Sequence, residues 1–336
     1  MKTVTLGNTG LTTAFLGLGG IPLQRADAQN TVTLVDRLEK YGLSYIDTAR
    51  GYTVSEEYIG AALKGRRDKF ILASKSMARD YEGMAKDIDI SLKNLRTDYI
   101  DLYQIHNIDA ADVDRVFEEN GAYRALLEAK NEGKIGHIGF TSHKEETAEA
   151  LLAAHGDKME SFMFPYSIVE NQGEELLSDC RKRGIFTIAM KPLAGGNIED
   201  YRLALRYVAN SQAIDIVIPG MGSPEEVDKN FEALLYDSPL NEEELRAVEE
   251  IRSELGRRFC RRCGYCAPCT VGINIPLTFT FSNYKKRYGL SEWAESRYAT
   301  LKVKPDEWIG CGVCEERCPY ELPIREMLKE VVDLMG

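Results

Sequence analysis

Seven of the eight cysteines fall between Cys260 and Cys318. Cys260, Cys263, Cys266 and Cys269 succeed one another with two-residue gaps, and Cys311, Cys314 and Cys318 form a second run, CGVCEERCP. Thiolates so closely spaced are metal ligands. Disulfides are not expected, because the amino-terminal segment MKTVTLGNTGL lacks the apolar core of a secretory signal and disulfides belong to oxidising compartments. Zinc is satisfied by paired CxxC motifs. The threefold CxxC repeat and the CxxxCP ending favour an iron–sulfur cluster instead. A second set of reactive side chains lies far upstream: Asp47 and Tyr52 in IDTARGY, Lys75 in FILASKS and His106 in IDLYQIH. A phenol, with an ordinary pKa of about 10, is a feeble acid near neutrality unless a cation stabilises its phenolate. Lys75 supplies such a cation, Asp47 holds Lys75, and His106 donates a hydrogen bond to a carbonyl oxygen. Taken singly, these residues also read as an ion pair, a loop aromatic and a core histidine.

What positions them is an alternation of short apolar runs with longer amphipathic stretches. The expected strands are residues 14–17, 44–47, 70–74, 100–105, 137–140, 162–164, 186–190 and 214–218. Between them, spacings such as Leu34, Leu38 and Tyr41, or Ile88, Leu92 and Leu95, mark helices. Eight strand–helix units predict an α/β fold, a (β/α)8 TIM barrel, which usually takes about 250 residues and carries its chemistry at the C-terminal strand ends. All four reactive residues then stand at adjacent strand ends. The composition, 44% hydrophobic and 28% charged over 336 residues, is globular, and no apolar run is long enough to span a membrane. A net charge of −11 argues against general binding to nucleic acid or anionic lipid. The expected location is cytoplasmic.

The segments VTLGNTGLTTAFLGLGG, IDTARGY, LASKS, LRTDYIDLYQIHN, GKIGHIGFTSH and IPGMGSPEEVDKN, in this order, resemble the aldo-keto reductases over residues 1–235. The resemblance implies a catalytic tetrad of Tyr52, Asp47, Lys75 and His106, with Tyr52 as general acid, and a nicotinamide cofactor extended across the barrel mouth. It also exposes departures. Thr141 and Ser142 stand where the family holds the carboxamide with Ser-Asn, Met163 replaces a Gln, and Met190 replaces the aromatic residue that stacks on the ring. A thioether still covers a ring face, although Met190 reads equally as barrel packing. Relatives that prefer NADPH read Lys-Ser after the last strand and Arg a few residues on. Here Gly220 and Met221 replace the pair and Glu226 takes the Arg position. A carboxylate repels a 2′-phosphate, so NADH is expected over NADPH. Gly220, Gly222 and Ser223 then face the pyrophosphate and Asn230 the adenine, although Pro219-Gly220 and Ser223-Pro224 also read as plain turn and helix-start chemistry.

The cysteine array resembles two-cluster bacterial ferredoxins, in which the last cysteine of each run ligates the other run's cluster. Carried over by position, Cys260, Cys263, Cys266 and Cys318 hold the first 4Fe-4S cluster. Cys269, Cys311 and Cys314 remain for a second cluster whose fourth place is Trp308. That site is then empty, holds a 3Fe-4S cluster or recruits another ligand, with Asp306 and Glu307 nearby. The short gap before Cys269 and the GYCxPC sequence resemble a subgroup of aldo-keto reductases fused to a C-terminal ferredoxin-like domain. Arg257, Arg258, Arg261, Arg262 and Arg317 are expected to offset the cluster's negative charge, and the aromatic, basic stretch 276–300 reads as a solvated helix face.

The expected organisation is a barrel over 1–240, a linking helix over 241–256 opened by Asn241 and Glu244, and a smaller, mainly helical ferredoxin-like domain over 257–336. In ordinary family members the tail lines the substrate pocket, so the cluster domain is expected near the active-site face. The leading reading is an NAD(P)H-dependent oxidoreductase acting on a small-molecule carbonyl or alcohol, its 4Fe-4S cluster exchanging electrons with a ferredoxin or flavodoxin. Two others stay open: the same hydride chemistry with a purely structural cluster, and a non-catalytic redox-sensing module.

Overall fold

The structure, a computed structural model, describes residues 1–235 and 238–336. The chain forms two compact units. One comprises Met1–Ser167, Asn171–Pro192 and Asp200–Leu240; the other comprises Ile168–Glu170, Leu193–Glu199 and Asn241–Gly336.

The first unit opens with an antiparallel hairpin, β1 (Thr3–Thr5) on β2 (Thr12–Ala14), which pairs Thr3 with Ala14. This corrects the expected first strand at 14–17. Ala14 closes the hairpin, because alternating Thr and Val residues flank an Asn-Thr-Gly turn whose glycines, Gly7 and Gly10, take positive φ. The first strand of the large sheet is β3 (Leu18–Gly19). After it come β4 (Tyr45–Asp47), β5 (Ile71–Ser76), β6 (Ile100–Ile105), β7 (Ile135–Thr141), β8 (Ser161–Pro165), β9 (Phe186–Met190) and β10 (Ile216–Ile218). They neighbour one another in chain order and every neighbouring pair is parallel. Parallel bridges from Leu16 to Val217 and from Gly19 to Gly220 bring the sheet's two edges together, completing the (β/α)8 barrel. Gly19 is needed at that seam: a Cβ there would stand 2.8 Å from the Ile218 carbonyl oxygen.

Between the strands run α1 (Ala28–Lys40), α2 (Ser55–Ala62), α3 (Tyr81–Leu95), α4 (Ala122–Asn131), α5 (Glu145–His155), α6 (Glu174–Lys182) and α7 (Tyr201–Asn210), with α8 (Pro224–Ala233) after β10. Asp27, Asp80, Asp200 and Ser223 cap α1, α3, α7 and α8 by accepting a first-turn N–H, which the open backbone donors of a helix start require. Strands covered by helices on one face and by the barrel interior on the other are mainly apolar, as Phe140, Phe162 and Phe164 show in their run of ring contacts. β5 departs from this furthest. It is buried along its whole length yet carries Ser74, Lys75 and Ser76.

The second unit contains α9 (Glu242–Leu255), opened by the expected Asn241/Glu244 capping box, then α10 (Ile275–Lys286), α11 (Ser291–Tyr298), α12 (Val313–Glu316) and α13 (Ile324–Met335). Its core gathers Phe279, Phe281, Tyr298, Leu322, Leu328 and Val331 around Cys266. The aromatic stretch is not a solvated face: Tyr284 meets Trp293 edge-on at 4.8 Å and Tyr288 at 5.2 Å, because α10 and α11 pack through these rings. Three arginines hold three consecutive buried residues of the segment 168–170. Arg252 donates to the Ile168 carbonyl (3.0 Å), Arg261 to the Val169 carbonyl (2.9 Å), and Arg262 pairs with Glu170 (2.5 Å). Among the described residues no helix is long and apolar enough to cross a membrane.

Candidate active site and cluster site

Asp47 is the last residue of β4 and Lys75 lies near the end of the neighbouring β5. The Lys75 ammonium donates to Asp47 Oδ2 at 2.5 Å and to the Thr48 carbonyl at 2.8 Å, and both side chains are almost wholly buried. Burial pulls each toward its neutral form, raising the Asp47 carboxyl and lowering the Lys75 ammonium, and the pair's own attraction resists both shifts. The loop after β4 turns through Tyr52, whose N–H donates to Ala49 and whose carbonyl accepts from Ser55. That places Lys75 Nζ 5.0 Å from the centre of the Tyr52 ring. His106 follows β6, and its ring meets Tyr52 edge-on at 6.0 Å. The structure thus brings together all four residues singled out in the sequence.

Several residues that the sequence did not single out hold this arrangement. Glu56, fully buried, accepts from Arg50 (2.5 Å), Ser74 (2.7 Å) and Ser91 (2.7 Å), tying the Tyr52 loop to β5 and α3. Arg79 donates to the His106 and Asn107 carbonyls (3.0 and 2.8 Å) while paired with Asp112, fixing the end of β6. Thr53, Asn107 and Lys191 take positive φ, and each directly follows Tyr52, His106 or Met190. Non-glycine residues in that conformation store strain, which collects at functional sites. Two buried atoms of this group, Asp47 Oδ1 and His106 Nδ1, lack a hydrogen-bond partner. Unsatisfied buried polar atoms are costly, and at a catalytic centre they mark where a ligand completes the bonding.

The residues assigned to a dinucleotide are placed less uniformly. Thr141 ends β7 and accepts from the Asn107 N–H (2.7 Å), while the Ser142 hydroxyl is engaged by the Ile108 and Lys144 backbones. Met163 is buried in β8 opposite Thr141, and Met190 is half-buried at the end of β9. Gly220 and Gly222 lie against Pro22, where added Cβ atoms would stand 2.9 and 3.2 Å from its ring, so these glycines keep the backbone open. Ser223 caps α8, and Asn230 is buried on that helix. The Gly222 N–H is already taken: Glu226 accepts it at 2.5 Å and lies 3.8 Å from Arg25. The Gly222 N–H, expected as a free backbone donor, is thus engaged by a carboxylate of the same chain. The physical reason is the helix start itself, where a first-turn Glu satisfies an open N–H.

In the second unit Cys260, Cys263, Cys266 and Cys318 line a single cavity together with Ile275, Phe279, Tyr320, Leu322 and Ile324. Burial first, and neighbouring sulfurs second, push the Cys260 thiol up to about 11 and Cys266 up to about 12. Four thiolates gathered there require positive charge among them, and sulfurs ringing a cavity suit a polynuclear cluster. Of the arginines expected to offset the cluster, Arg258 is paired with Glu326 and Glu330 and Arg262 with Glu170. Arg261, which lines the cavity and stacks on Tyr320 at 4.0 Å, and Arg317, bonded to the Pro268 carbonyl, have carbonyl acceptors instead. Cys269 and Cys314 are half-buried against the unit's core with Trp308, whereas Cys311 is exposed and bonded to the Thr270 hydroxyl at 3.4 Å, which lowers its pKa. Cys180 is buried apart from both runs, its thiol raised to about 12 by burial.

Burial, with the cations Lys75, Arg79 and Lys191 nearby, holds His106 well below the ordinary imidazole pKa of 6.5. The folded chain therefore keeps this ring neutral where the unfolded chain binds a proton, so stability falls as pH drops below about 6.5. Thermal unfolding should show a smaller loss between pH 7 and pH 5.5 for His106→Gln than for the parent protein; an equal loss would place the acid sensitivity elsewhere.

The family description "Aldo/keto reductase family" matches residues 13–202, and the description "4Fe-4S dicluster domain" matches residues 259–323. An L-galactose dehydrogenase of Arabidopsis thaliana is 28% identical over 302 residues, covering 73% of this chain and 92% of its own length. An NADH-specific methylglyoxal reductase of Escherichia coli is 29% identical, covering 58% of this chain and 68% of its own. Among solved structures, an aldo-keto reductase from Bacillus halodurans superposes with a TM-score of 0.65 at 26% identity, covering 75% of this chain and 96% of its own. With its barrel, its strand-end residues and a family match over more than half its length, this chain belongs to the aldo/keto reductase family and carries a C-terminal 4Fe-4S domain.

Proposed function

We propose that the protein is an NAD(P)H-dependent carbonyl reductase whose first 4Fe-4S cluster exchanges single electrons with a protein carrier such as ferredoxin or flavodoxin. The observation that supports the hydride chemistry is the tetrad: a phenol beside a buried ammonium, the ammonium held by a carboxylate, and a neutral imidazole edge-on to the phenol. A reduced nicotinamide held at these strand ends would supply a hydride to the carbonyl carbon. Tyr52 gives its proton to the carbonyl oxygen, and Lys75 stabilises the phenolate left behind until solvent returns a proton. Asp47 keeps Lys75 in place. His106, neutral, donates a hydrogen bond to the same oxygen and so fixes the substrate's orientation. Tyr52→Phe should lower kcat about 100- to 10,000-fold with little change in NADH affinity; turnover at the parental rate would remove the phenol from the chemistry.

NADH is the favoured cofactor. Glu226 puts a carboxylate where a 2′-phosphate would be repelled, and a relative bears the name of an NADH-specific methylglyoxal reductase. Thr141, Ser142, Met163 and Met190 lie at the strand ends where the nicotinamide would rest, with Gly220, Gly222, Ser223 and Asn230 toward the diphosphate and adenosine. Fluorescence titration should give a lower Kd for NADH than for NADPH, and Glu226→Ser should narrow the gap; tighter NADPH binding by the parent protein would overturn this assignment.

The arginine hold on residues 168–170 favours a second reading, in which the cluster is structural. Arg261 and Arg262 lie between the first two cysteines, so iron at those thiolates would also fix that segment. Cys260, Cys263, Cys266 and Cys318 would carry this cluster. Cys269, Cys311 and Cys314 offer only three thiolates for a second, with Trp308 in the fourth place. Anaerobic iron and sulfide analysis is expected to give four irons per chain, or seven if a 3Fe-4S cluster fills the second site. Bleaching of the cluster absorbance by NADH, alone or with substrate, is the outcome expected for electron transfer; a spectrum unmoved by NADH leaves the structural reading.

A further inference from the structure

We propose that Glu170 is a positioning residue for the first 4Fe-4S cluster: acting through Arg262, it fixes the charge beside the loop from Cys260 to Cys263 and thereby holds the cluster's reduction potential down. The proposal rests on the reading that Cys260, Cys263, Cys266 and Cys318 carry that cluster.

Arg262 lies between two of the expected ligands. One of its terminal nitrogens donates to the Cys260 carbonyl at 3.1 Å, and the other donates to Glu170 Oε1 at 2.5 Å. The partners of the second bond are 92 positions apart in sequence. Arg262 also has a φ of 62°, in the left-handed region that an arginine rarely adopts, so the ligand loop is held where a free chain would not keep it. Glu170 is wholly buried, and among the described residues of the second unit it is the one buried acidic side chain. Water and salt therefore do little to screen its charge.

Stability alone is a poor reason for this pair. Two charges taken out of water are repaid only by close geometry and full hydrogen bonding, and an apolar pair of similar volume often serves a fold as well. Here Glu170 Oε2 and Arg262 Nε both lack a partner. At the two preceding residues the segment is held by uncharged acceptors, where Arg252 and Arg261 donate to the Ile168 and Val169 carbonyls. What the Glu170 carboxylate adds is charge. A 4Fe-4S cluster on four thiolates is an anion that gains a further electron on reduction, and its potential responds to the net charge around it. A lone guanidinium next to Cys263 would favour the reduced form. Glu170 offsets that cation and so makes the reduced cluster the stronger electron donor. Arg258, paired with Glu326 and Glu330, is exposed, and solvent screens that pair.

The test is a redox titration of the anaerobically purified full-length protein at one pH, followed by visible absorbance and EPR, with iron and sulfide measured on every sample. Three variants are compared with the parent: Glu170→Gln, Glu170→Asp, and the double variant Glu170→Gln with Arg262→Gln. Glu170→Gln removes the charge but keeps an oxygen that accepts from Arg262. It is expected to raise the potential, favouring the reduced cluster about tenfold, which for one electron is about 59 mV. Glu170→Asp keeps the charge and should stay near the parent. The double variant removes both charges and should return most of the way. An unmoved or lowered potential in loaded Glu170→Gln overturns the proposal, as does a double variant that stays as high as Glu170→Gln or an Asp variant that rises as far. Should Glu170→Gln lose its cluster, a loaded double variant with a near-parental potential supports the proposal, because the carboxylate is then needed only as the counter-charge of Arg262. Loss of the cluster from both makes Glu170 a scaffold residue and overturns it. A parent protein without iron and sulfide removes the cluster assignment itself, which is a different failure from an unmoved potential in loaded protein.

Discussion

The barrel is built around an ion pair that it should, on energetic grounds, avoid. Placing an ammonium and a carboxylate inside a protein costs several kcal/mol for each ion, and only close geometry and further hydrogen bonds return that cost. Lys75 and Asp47 meet this condition because β4 and β5 run in parallel register, with Asp47 paired to Ala73 two residues before Lys75. The Thr48 carbonyl then supplies a second acceptor. Everything nearby conforms to the pair. The Tyr52 loop folds over it, Glu56 anchors that loop from beneath, and His106 stays neutral partly because Lys75 is charged. A barrel filled only with Val, Leu and Phe would be easier to fold, and it would have nothing with which to acidify a phenol.

Much of this was legible in the sequence, and the reasons are physical. Strand ends are where a (β/α)8 barrel exposes side chains, so a polar residue ending an apolar run, as Asp47, Lys75 and His106 do, declares itself. The barrel strands were readable because burial on both faces leaves uninterrupted apolar runs. The amino-terminal hairpin was not, since its Thr-rich strands are short and half-exposed, and the run Ala14 to Gly17 looked like the barrel's first strand. Contacts that depend on three-dimensional closure were likewise hidden. Nothing local announces that Glu56 joins Arg50, Ser74 and Ser91, or that Glu226 reaches back to Gly222.

The cysteine array shows the opposite balance. Spacing alone singled out the four cysteines expected at the first site, because thiolates must lie close in sequence to meet around one cluster, and those four line one cavity. Charge was not legible in the same way. Five arginines near the cysteines suggested a uniformly positive shell, but two of them are neutralised by carboxylates distant in sequence. Arg261 lies in the cavity wall, and Arg262, which donates to the Cys260 carbonyl, still lowers the Cys260 thiol although it is paired with Glu170.

The three arginines that hold residues 168–170, Arg252, Arg261 and Arg262, bear on how the chain can be divided. Residues 168–170 and 193–199 lie within the first 240 residues of sequence but belong to the iron–sulfur unit. A cut after Leu240 would strip the Ile168 and Val169 carbonyls of their donors and leave the Glu170 carboxylate, now wholly buried, without its counter-ion. The sequence reads as a barrel followed by a tail. In three dimensions two short stretches of the first 240 residues belong to the iron–sulfur unit, so a boundary drawn once along the sequence does not separate the two units.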